Sequence, residues 1–216
     1  MKKLFAIFIS LFAAVSMSAS EPVVKTGIEV LRDREFRGLV GKRVGLVTNP
    51  SGVDRNLNST IDILYNAPGV DLVALYGPEH GVRGDVYAGG KVSDTIDAAT
   101  GLPVYSLYGA TRKPTKEMLQ GIDIMVYDIQ DNGCRSFTFI STMGLCMEAC
   151  AENNKELIIT DRPNPCDYVD GPIREDEKKS FVGMHPIPVL HGCTIGELAQ
   201  MINGEGWLDK NVKCRI

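Results

Sequence analysis

A carboxylic acid and a histidine stand side by side in the stretch GPEHGVRGD, as Glu79 and His80. The stretch follows an apolar segment typical of a buried strand, so a sheet would hold Glu79 at a fixed position on a strand-to-loop turn. Partial burial raises the pKa of a carboxyl group, as a general acid requires. We therefore predict that Glu79 is a catalytic acid with His80 beside it. The alternative is that Glu79 has only a structural role and stabilises the loop by accepting hydrogen bonds from neighbouring amides.

Other polar side chains also follow the ends of apolar runs. Because the carboxyl ends of parallel strands meet at one edge of a sheet, where ligands bind, we expect these side chains to converge with Glu79. Carboxylates beside arginines suit acid–base hydrolysis of a negatively charged substrate. Asp131 is the further catalytic candidate. The predicted substrate-binding residues are Asn49, Arg83, Arg135, Asp161, Arg162, Asn164 and His191.

Several chemistries are disfavoured because their motifs are absent. The sequence has no G-x-S-x-G nucleophile elbow, no G-x-G-x-x-G, no phosphate-binding loop and no H-E-x-x-H. Its six cysteines and three histidines lack the spacing of zinc ligands. We therefore expect no cofactor and no metal. The formal net charge of −4 disfavours nucleic acid as a partner, because phosphate binding needs clustered Lys and Arg.

The elements that would position these residues alternate between strand and helix. Alternation of this kind predicts parallel strands joined by helices. The expected fold class is therefore α/β, a Rossmann-like, doubly wound and mostly parallel sheet with helices on both faces. The predicted strands are Arg43–Thr48, Val70–Tyr76, Pro103–Leu107, Ile122–Ile129 and Glu156–Thr160. The predicted helices are Asn58–Asn66, Lys113–Gln120, Ser141–Asn153 and Thr194–Met201.

The first 20 residues have the three parts of a secretory signal peptide: Lys2 and Lys3, an apolar run from Leu4 to Val15, and small residues up to Ser20. The run is too short to span a membrane, and no cysteine follows it. We therefore expect a periplasmic or secreted protein without a membrane anchor. The 216 residues are predicted to divide into a signal peptide (1–20), a catalytic domain (21–210) and the start of a C-terminal domain that the chain does not contain (211–216).

Six stretches together make the sequence similar to the NamZ-type exo-β-N-acetylmuramidase family. They occur in the order of the family and cover roughly residues 26–207. G-P-E-H-G-x-R-G and D-R-P-N-P are the most specific of them. The stretches are LVTNPSGVD (46–54), YGPEHGVRGD (76–85), PVYSLYGATRKPT (103–115), YDIQDNGCRSFTF (127–139), DRPNP (161–165) and LHGCTIGEL (190–198).

The resemblance implies a glycoside hydrolase that releases terminal β-linked N-acetylmuramic acid from the non-reducing end of peptidoglycan fragments, in cell-wall turnover or recycling. It implies a Rossmann-like larger domain, a smaller C-terminal domain and an active cleft between them. The family's key glutamate lies in G-P-E-H-G and corresponds to Glu79. The lactyl carboxylate of the sugar would suit bidentate binding by Arg83, Arg135 or Arg162. Ser136 stands where the family tends to carry an aromatic residue, so we expect a weaker sugar-stacking contact.

The second catalytic role stays open at this point. Asp131 or Asp161 would act as base or nucleophile, or the 2-acetamido group of the substrate would attack while Asp131 orients it. Two other classes of protein fit the same residues. One is a non-catalytic periplasmic protein that binds muropeptides or other sugars. The other is a metal-dependent hydrolase that uses His80, Asp131 and Asp161.

Overall fold

A computed structural model describes residues 24–87, 89–90 and 93–216, so the predicted signal peptide lies outside the described residues. A six-stranded sheet in the order β3-β4-β2-β1-β5-β6 forms its centre. All neighbouring strands are parallel except β3, which runs antiparallel to β4 at the edge. The six strands are β1 (Arg43–Thr48), β2 (Asp71–Gly77), β3 (Thr95–Ile96), β4 (Pro103–Ser106), β5 (Ile124–Asp128) and β6 (Glu156–Ile159).

Five α-helices, two 3-10 helices and a small second sheet complete the described part of the chain. None of the described helices is long and apolar enough to span a bilayer. The second sheet pairs β7 (Val169–Asp170) with β8 (Leu190–His191) in antiparallel fashion. The α-helices are α1 (Gly27–Asp33), α2 (Thr60–Tyr65), α3 (Lys116–Leu119), α4 (Thr138–Glu152) and α5 (Ile195–Glu205), and the 3-10 helices are Asp176–Lys178 and Asp209–Asn211.

The central strands are buried on both faces, because helices cover each side of the sheet. On β5, Ile124 and Val126 belong to an apolar cluster that includes residues of α1 and α2. Met125 and Tyr127, which alternate with them, belong to a second cluster that includes residues of α4 and α5. This alternation is what the period of two in a strand dictates. The predicted fold class, a mostly parallel α/β sheet with helices on both faces, is confirmed.

The strand order reverses between β1 and β5, since β1 pairs with β2 on one side and with β5 on the other. Ligands commonly bind at such a switch point. In this protein the turn that follows β1 occupies the switch point between β1 and β5. The Thr48 hydroxyl donates to the Asp128 carbonyl at 2.8 Å, and a Cβ at Gly52 would lie 2.1 Å from the Thr48 Oγ1. The turn after β1 therefore packs tightly over the end of β5. The cavity that contains Glu79 lies instead beside the turn after β2.

All five predicted strands are present, and α1 is the helix that the sequence analysis did not predict. It begins with a capping box between Thr26 and Glu29. Near the other end of the chain, Arg215 forms a parallel bridge with Glu156 beside β6. The predicted domain boundary at residue 210 stays a prediction.

Candidate active site

Glu79 and His80 lie on a tight turn directly after β2, which the Gly81 amide closes by donating to the Pro78 carbonyl at 3.0 Å. His80 has φ +73°, in the left-handed region that a non-glycine residue rarely occupies. Such a conformation costs on the order of 1–3 kcal/mol and often marks a functional site. The His80 Nδ1 lies 3.1 Å from the Val86 carbonyl. Because a carbonyl only accepts, Nδ1 carries a proton.

The Glu79 carboxylate is half-buried and accepts hydrogen bonds from two neutral donors. The Thr138 hydroxyl donates to Oε2 at 2.7 Å, and the Gly89 amide donates to Oε1 at 3.1 Å. Burial raises the pKa of Glu79, but hydrogen bonds from Thr138, Gly89 and Tyr108 outweigh it, so the pKa lies below its ordinary value. The expectation of a raised pKa is therefore wrong for this structure, because the turn supplies donors that stabilise the ionised form.

A cavity of about 260 Å³ opens beside the turn. Glu79 is the one carboxylate among the described residues that line it, and Phe137, which is 44% exposed, offers an aromatic face. Aromatic faces next to a few polar groups are typical of small-molecule sites. The full lining consists of Glu79, His80, Tyr108, Ser136, Phe137, Thr138, Phe139 and Val182.

Asp131 and His191 form a buried pair instead of lining this cavity. The His191 Nε2 lies 3.0 Å from the Asp131 Oδ2, and both residues are almost completely buried. The Cys193 amide donates to the His191 Nδ1 at 3.3 Å, so the proton of a neutral ring is on Nε2 and points to Asp131. The Asp131 Oδ1 is buried without a hydrogen-bond partner among the described residues. The catalytic role of Asp131 stays a prediction.

Arg162 and Asp161 are engaged inside the fold. Arg162 donates from Nε and Nη2 to the two carboxylate oxygens of Asp128 at 2.7 and 3.0 Å, in a fully buried ion pair. Asp161 accepts from the Thr194 hydroxyl at 2.7 Å and from the Gly196 amide at 2.8 Å. It thereby anchors the beginning of α5. The charge of Arg162 is therefore neutralised by Asp128 and is not free to bind a substrate carboxylate.

Arg83 and Arg135 are also held by groups of the protein. Arg83 donates to both oxygens of Asp97 at 2.9 and 3.0 Å, and contacts Asp62 at 3.2 Å. This arrangement lowers the pKa of Asp97 to about 2, chiefly through the hydrogen bonds from Arg83. Arg135 donates to the carbonyls of Pro172 and Ile187 at 2.8 and 2.5 Å. Arg83 is thus neutralised by carboxylates of the protein, whereas Arg135 is held by carbonyls and contacts no carboxylate among the described residues.

The two candidate asparagines form turns of the backbone. Asn49 accepts from the Ser51 amide at 2.9 Å, and it is 7% exposed. Asn164 accepts from the Cys166 amide and donates to the Cys193 carbonyl, both at 2.9 Å. These hydrogen bonds within turns are the usual reason for Asn at such positions.

The expected convergence of all ten candidates is not found, since only Glu79 and His80 line the cavity beside the turn. Asp161 and Arg162 line a different cavity of about 580 Å³ between α1 and the end of β6. Glu79 and His80 line the smaller cavity next to an exposed aromatic ring, so we place the site there. Among the described residues, no three His, Cys, Asp or Glu side chains form a metal-binding group, and His80, Asp131 and Asp161 therefore do not.

Sequence reasoning missed Thr138 and gave no role to Tyr108 or Phe137. Tyr108 follows β4 at the same edge of the sheet as Glu79, and this position was the available signal. Thr138 is the first residue of α4. Its contact with Glu79 spans 59 residues of sequence, and no local pattern predicts it.

Residues 44–216 match the family described as exo-beta-N-acetylmuramidase NamZ, N-terminal. A curated protein of Bacillus subtilis (strain 168), named peptidoglycan beta-N-acetylmuramidase NamZ, is 52% identical over 199 residues. This match covers 91% of the chain and 48% of that relative. The chain thus spans about half the length of the curated relative that it matches.

Two crystal structures of DUF1343 family proteins from Bacteroides fragilis NCTC 9343 have the same fold. One is 62% identical with a TM-score of 0.82, and the match covers 88% of this chain and 48% of that chain. The other is 41% identical with a TM-score of 0.77, and the match covers 88% and 50%.

Proposed function

The chain belongs to the NamZ family of exo-β-N-acetylmuramidases, and from this premise we propose that it is a glycosidase of peptidoglycan fragments. It releases terminal β-linked N-acetylmuramic acid from the non-reducing end, in cell-wall turnover or recycling. We also propose that residues 1–20 direct it to the periplasm or the exterior, where muropeptides and disaccharides derived from peptidoglycan are its substrates.

One observation carries the proposal. Glu79 places a carboxylate in a cavity with an exposed aromatic ring, on a turn whose His80 adopts a strained conformation. A sugar ring presents apolar C–H faces as well as hydroxyls, so an aromatic face beside a carboxyl group suits it. The positive φ of His80 costs free energy, and strain of this kind is common at functional sites.

In the proposed mechanism Glu79 donates a proton to the glycosidic oxygen. Its lowered pKa means that it is ionised at neutral pH before substrate binds. A sugar in the cavity excludes water from the carboxylate, and this desolvation raises the pKa of Glu79 towards the range of a general acid. Thr138 and Gly89 hold the carboxyl group in position for the transfer.

The second catalytic group is the 2-acetamido group of the substrate in this proposal. The supporting observation is that no other carboxylate among the described residues lines the cavity. Both oxygens of Asp161 are engaged by α5, and Asp131 is buried against His191. The acetamido oxygen bonds to C1 as the C1–O bond to the aglycone breaks, and the leaving oxygen takes the proton of Glu79. Water then attacks C1, breaks its bond to the acetamido oxygen and returns a proton to Glu79. C1 is inverted twice, so the released sugar keeps its configuration.

The test compares hydrolysis of a chromogenic aryl β-N-acetylmuramide with that of the matching N-acetylglucosaminide. We expect release from the muramide only, with retained configuration by NMR. Glu79→Gln should lower kcat/KM by roughly 10²–10⁴-fold, the usual contribution of a general acid, while circular dichroism shows an unchanged fold. Glu205→Gln, a matched change of an exposed glutamate at the end of α5, should leave activity unchanged.

Two outcomes would overturn the assignment. A fully active Glu79→Gln variant would remove Glu79 from the mechanism. Binding of the muramide without release of its aglycone would favour the non-catalytic sugar-binding protein.

A further inference from the structure

Arg112 lies next to the cavity and is stacked on two aromatic rings. Its guanidinium carbon is 4.1 Å from the centroid of the Phe181 ring and 5.5 Å from that of Tyr108. The centroids of the two rings are 6.0 Å apart and the rings are inclined by 46°, so the guanidinium lies near both of them. The residue is exposed. Stacking occupies the faces of the guanidinium and leaves its N–H edges in the plane, where a carboxylate binds with two hydrogen bonds.

Arg112 differs from the other arginines at this edge of the sheet. Arg83 and Arg162 each donate to both oxygens of an internal carboxylate, and Arg135 donates to two carbonyls. Within the described residues, Arg112 contacts aromatic rings and no carboxylate. Its charge is therefore available to a ligand.

Tyr108 connects Arg112 to the proposed catalytic acid. Its ring lines the cavity together with Glu79, its hydroxyl helps to lower the pKa of Glu79, and the guanidinium of Arg112 contacts the ring. The acid and the cation are thus separated by a single side chain. In a muramyl sugar the glycosidic oxygen on C1 and the lactyl ether on C3 belong to one ring, so the groups that bind them must lie within reach of a single sugar.

We infer that Arg112 is the residue that recognises the lactyl carboxylate of N-acetylmuramic acid and so distinguishes it from N-acetylglucosamine. This inference rests on the proposed function and assigns the recognition to a residue that the sequence analysis did not include. Phe181 and Tyr108 act as positioning residues, because they fix the plane of the guanidinium.

The test measures binding of N-acetylmuramic acid and of its neutral lactyl amide by isothermal titration calorimetry, on the whole chain. We expect the wild type to prefer the acid by roughly 10- to 100-fold, as one bidentate charged contact allows. Arg112→Met should abolish this preference and leave amide binding unchanged. Arg112→Lys should restore only part of it, since ammonium lacks the planar fork. Arg37→Met, at an exposed arginine of the larger cavity, is the matched control and should keep the preference.

Each other outcome has a distinct meaning. If Arg112→Met weakens the binding of the acid and of the amide equally, Arg112 only holds Phe181 in position by packing against it. That result would overturn the inference. A wild type that binds acid and amide equally would overturn it too. If the wild type releases the aglycone from the muramide and Arg112→Met keeps the preference for the acid, the inference fails and the proposed function stands. If the wild type neither hydrolyses the muramide nor binds the acid, both fail.

Discussion

Two regions at the carboxyl edge of the sheet hold carboxylates in opposite ways. After β2, the half-buried Glu79 is stabilised by a hydroxyl and an amide, which are neutral donors. At the end of β5, the completely buried Asp128 is neutralised by Arg162, which donates to both of its oxygens. The same edge of the same sheet thus carries one carboxylate that water and ligands reach and one that they do not.

The difference separates groups that stabilise the fold from groups that remain available for chemistry. A buried charge needs a partner of opposite charge and a full set of hydrogen bonds, and such a pair cannot bind anything else without a large loss of stability. Neutral donors hold a carboxylate in position and leave its charge uncompensated. Glu79 therefore still interacts electrostatically with whatever enters the cavity, whereas Asp128 does not.

The largest expected effect comes from breaking the buried pair. Arg162→Met leaves Asp128 charged and unpaired, and should lower the free energy of unfolding by about 3–5 kcal/mol. For a chain of this size that corresponds to a fall in Tm of roughly 6–20 °C. Thermal unfolding followed by circular dichroism measures it. Asp128→Asn made in the Arg162→Met background should recover part of the loss, because it removes the unpaired charge.

An unchanged Tm in Arg162→Met would show that the pair does not stabilise the fold, and the contrast between the two regions would disappear. It would also return Arg162 to the set of residues able to bind substrate. The exposed Arg37→Met is the control for loss of a positive charge as such.

A smaller effect is expected at Arg83, which pairs with Asp97 near the loop that carries Glu79. The pKa of Asp97 is lowered from 3.8 to about 2, so the pair stabilises the fold above the unfolded pKa. This stabilisation is lost as the pH falls from about 4 to about 2. Arg83→Met should therefore cost about 2 kcal/mol or less at neutral pH and almost nothing near pH 2.

Urea unfolding at both pH values measures this difference. A loss that is the same at neutral and acid pH would contradict the role of the ion pair. A loss of preference for the lactyl carboxylate at unchanged stability would instead support the prediction from the sequence that Arg83 binds substrate.

The strands of the sheet and the turn that carries Glu79 could be predicted from the sequence. Apolar runs of strand length predicted β1 and β5 because both faces of these strands are covered, so nearly every side chain in them is buried. Glu79 was identifiable because it directly follows such a run. The resemblance to a family led to the same residue.

The ion pairs could not be predicted from the sequence, and this is why the substrate-binding set was too large. Asp97 lies 14 residues from Arg83, and Asp128 lies 34 residues from Arg162. Which arginine a carboxylate neutralises depends on packing between elements, which residue types after strand ends do not encode. The prediction that the pKa of Glu79 is raised is wrong for the same reason. The principal hydrogen-bond donor to Glu79 is Thr138 on α4, which is distant in sequence.

The smallest expected effect is at the hydroxyl that holds Glu79. Thr138→Val keeps the shape of the side chain and removes the donor to Oε2, so the pKa of Glu79 should rise towards its ordinary value. The free energy of unfolding should fall by about 1 kcal/mol or less. Thr142→Val is a matched control on the same helix, because the Thr142 hydroxyl is buried without a hydrogen-bond partner among the described residues.

The pH profile of kcat/KM on the aryl muramide then distinguishes two roles of Glu79. If the protonated carboxyl group is the active form, activity is lost as the pH rises through the pKa, and Thr138→Val shifts the alkaline limb to higher pH. If the ionised form acts, as a base or nucleophile, activity is lost as the pH falls, and the acid limb shifts instead. An identical pH profile in Thr138→Val and Thr142→Val would mean that both limbs report the titration of other groups. That result would contradict the assignment of Glu79 as the proton donor.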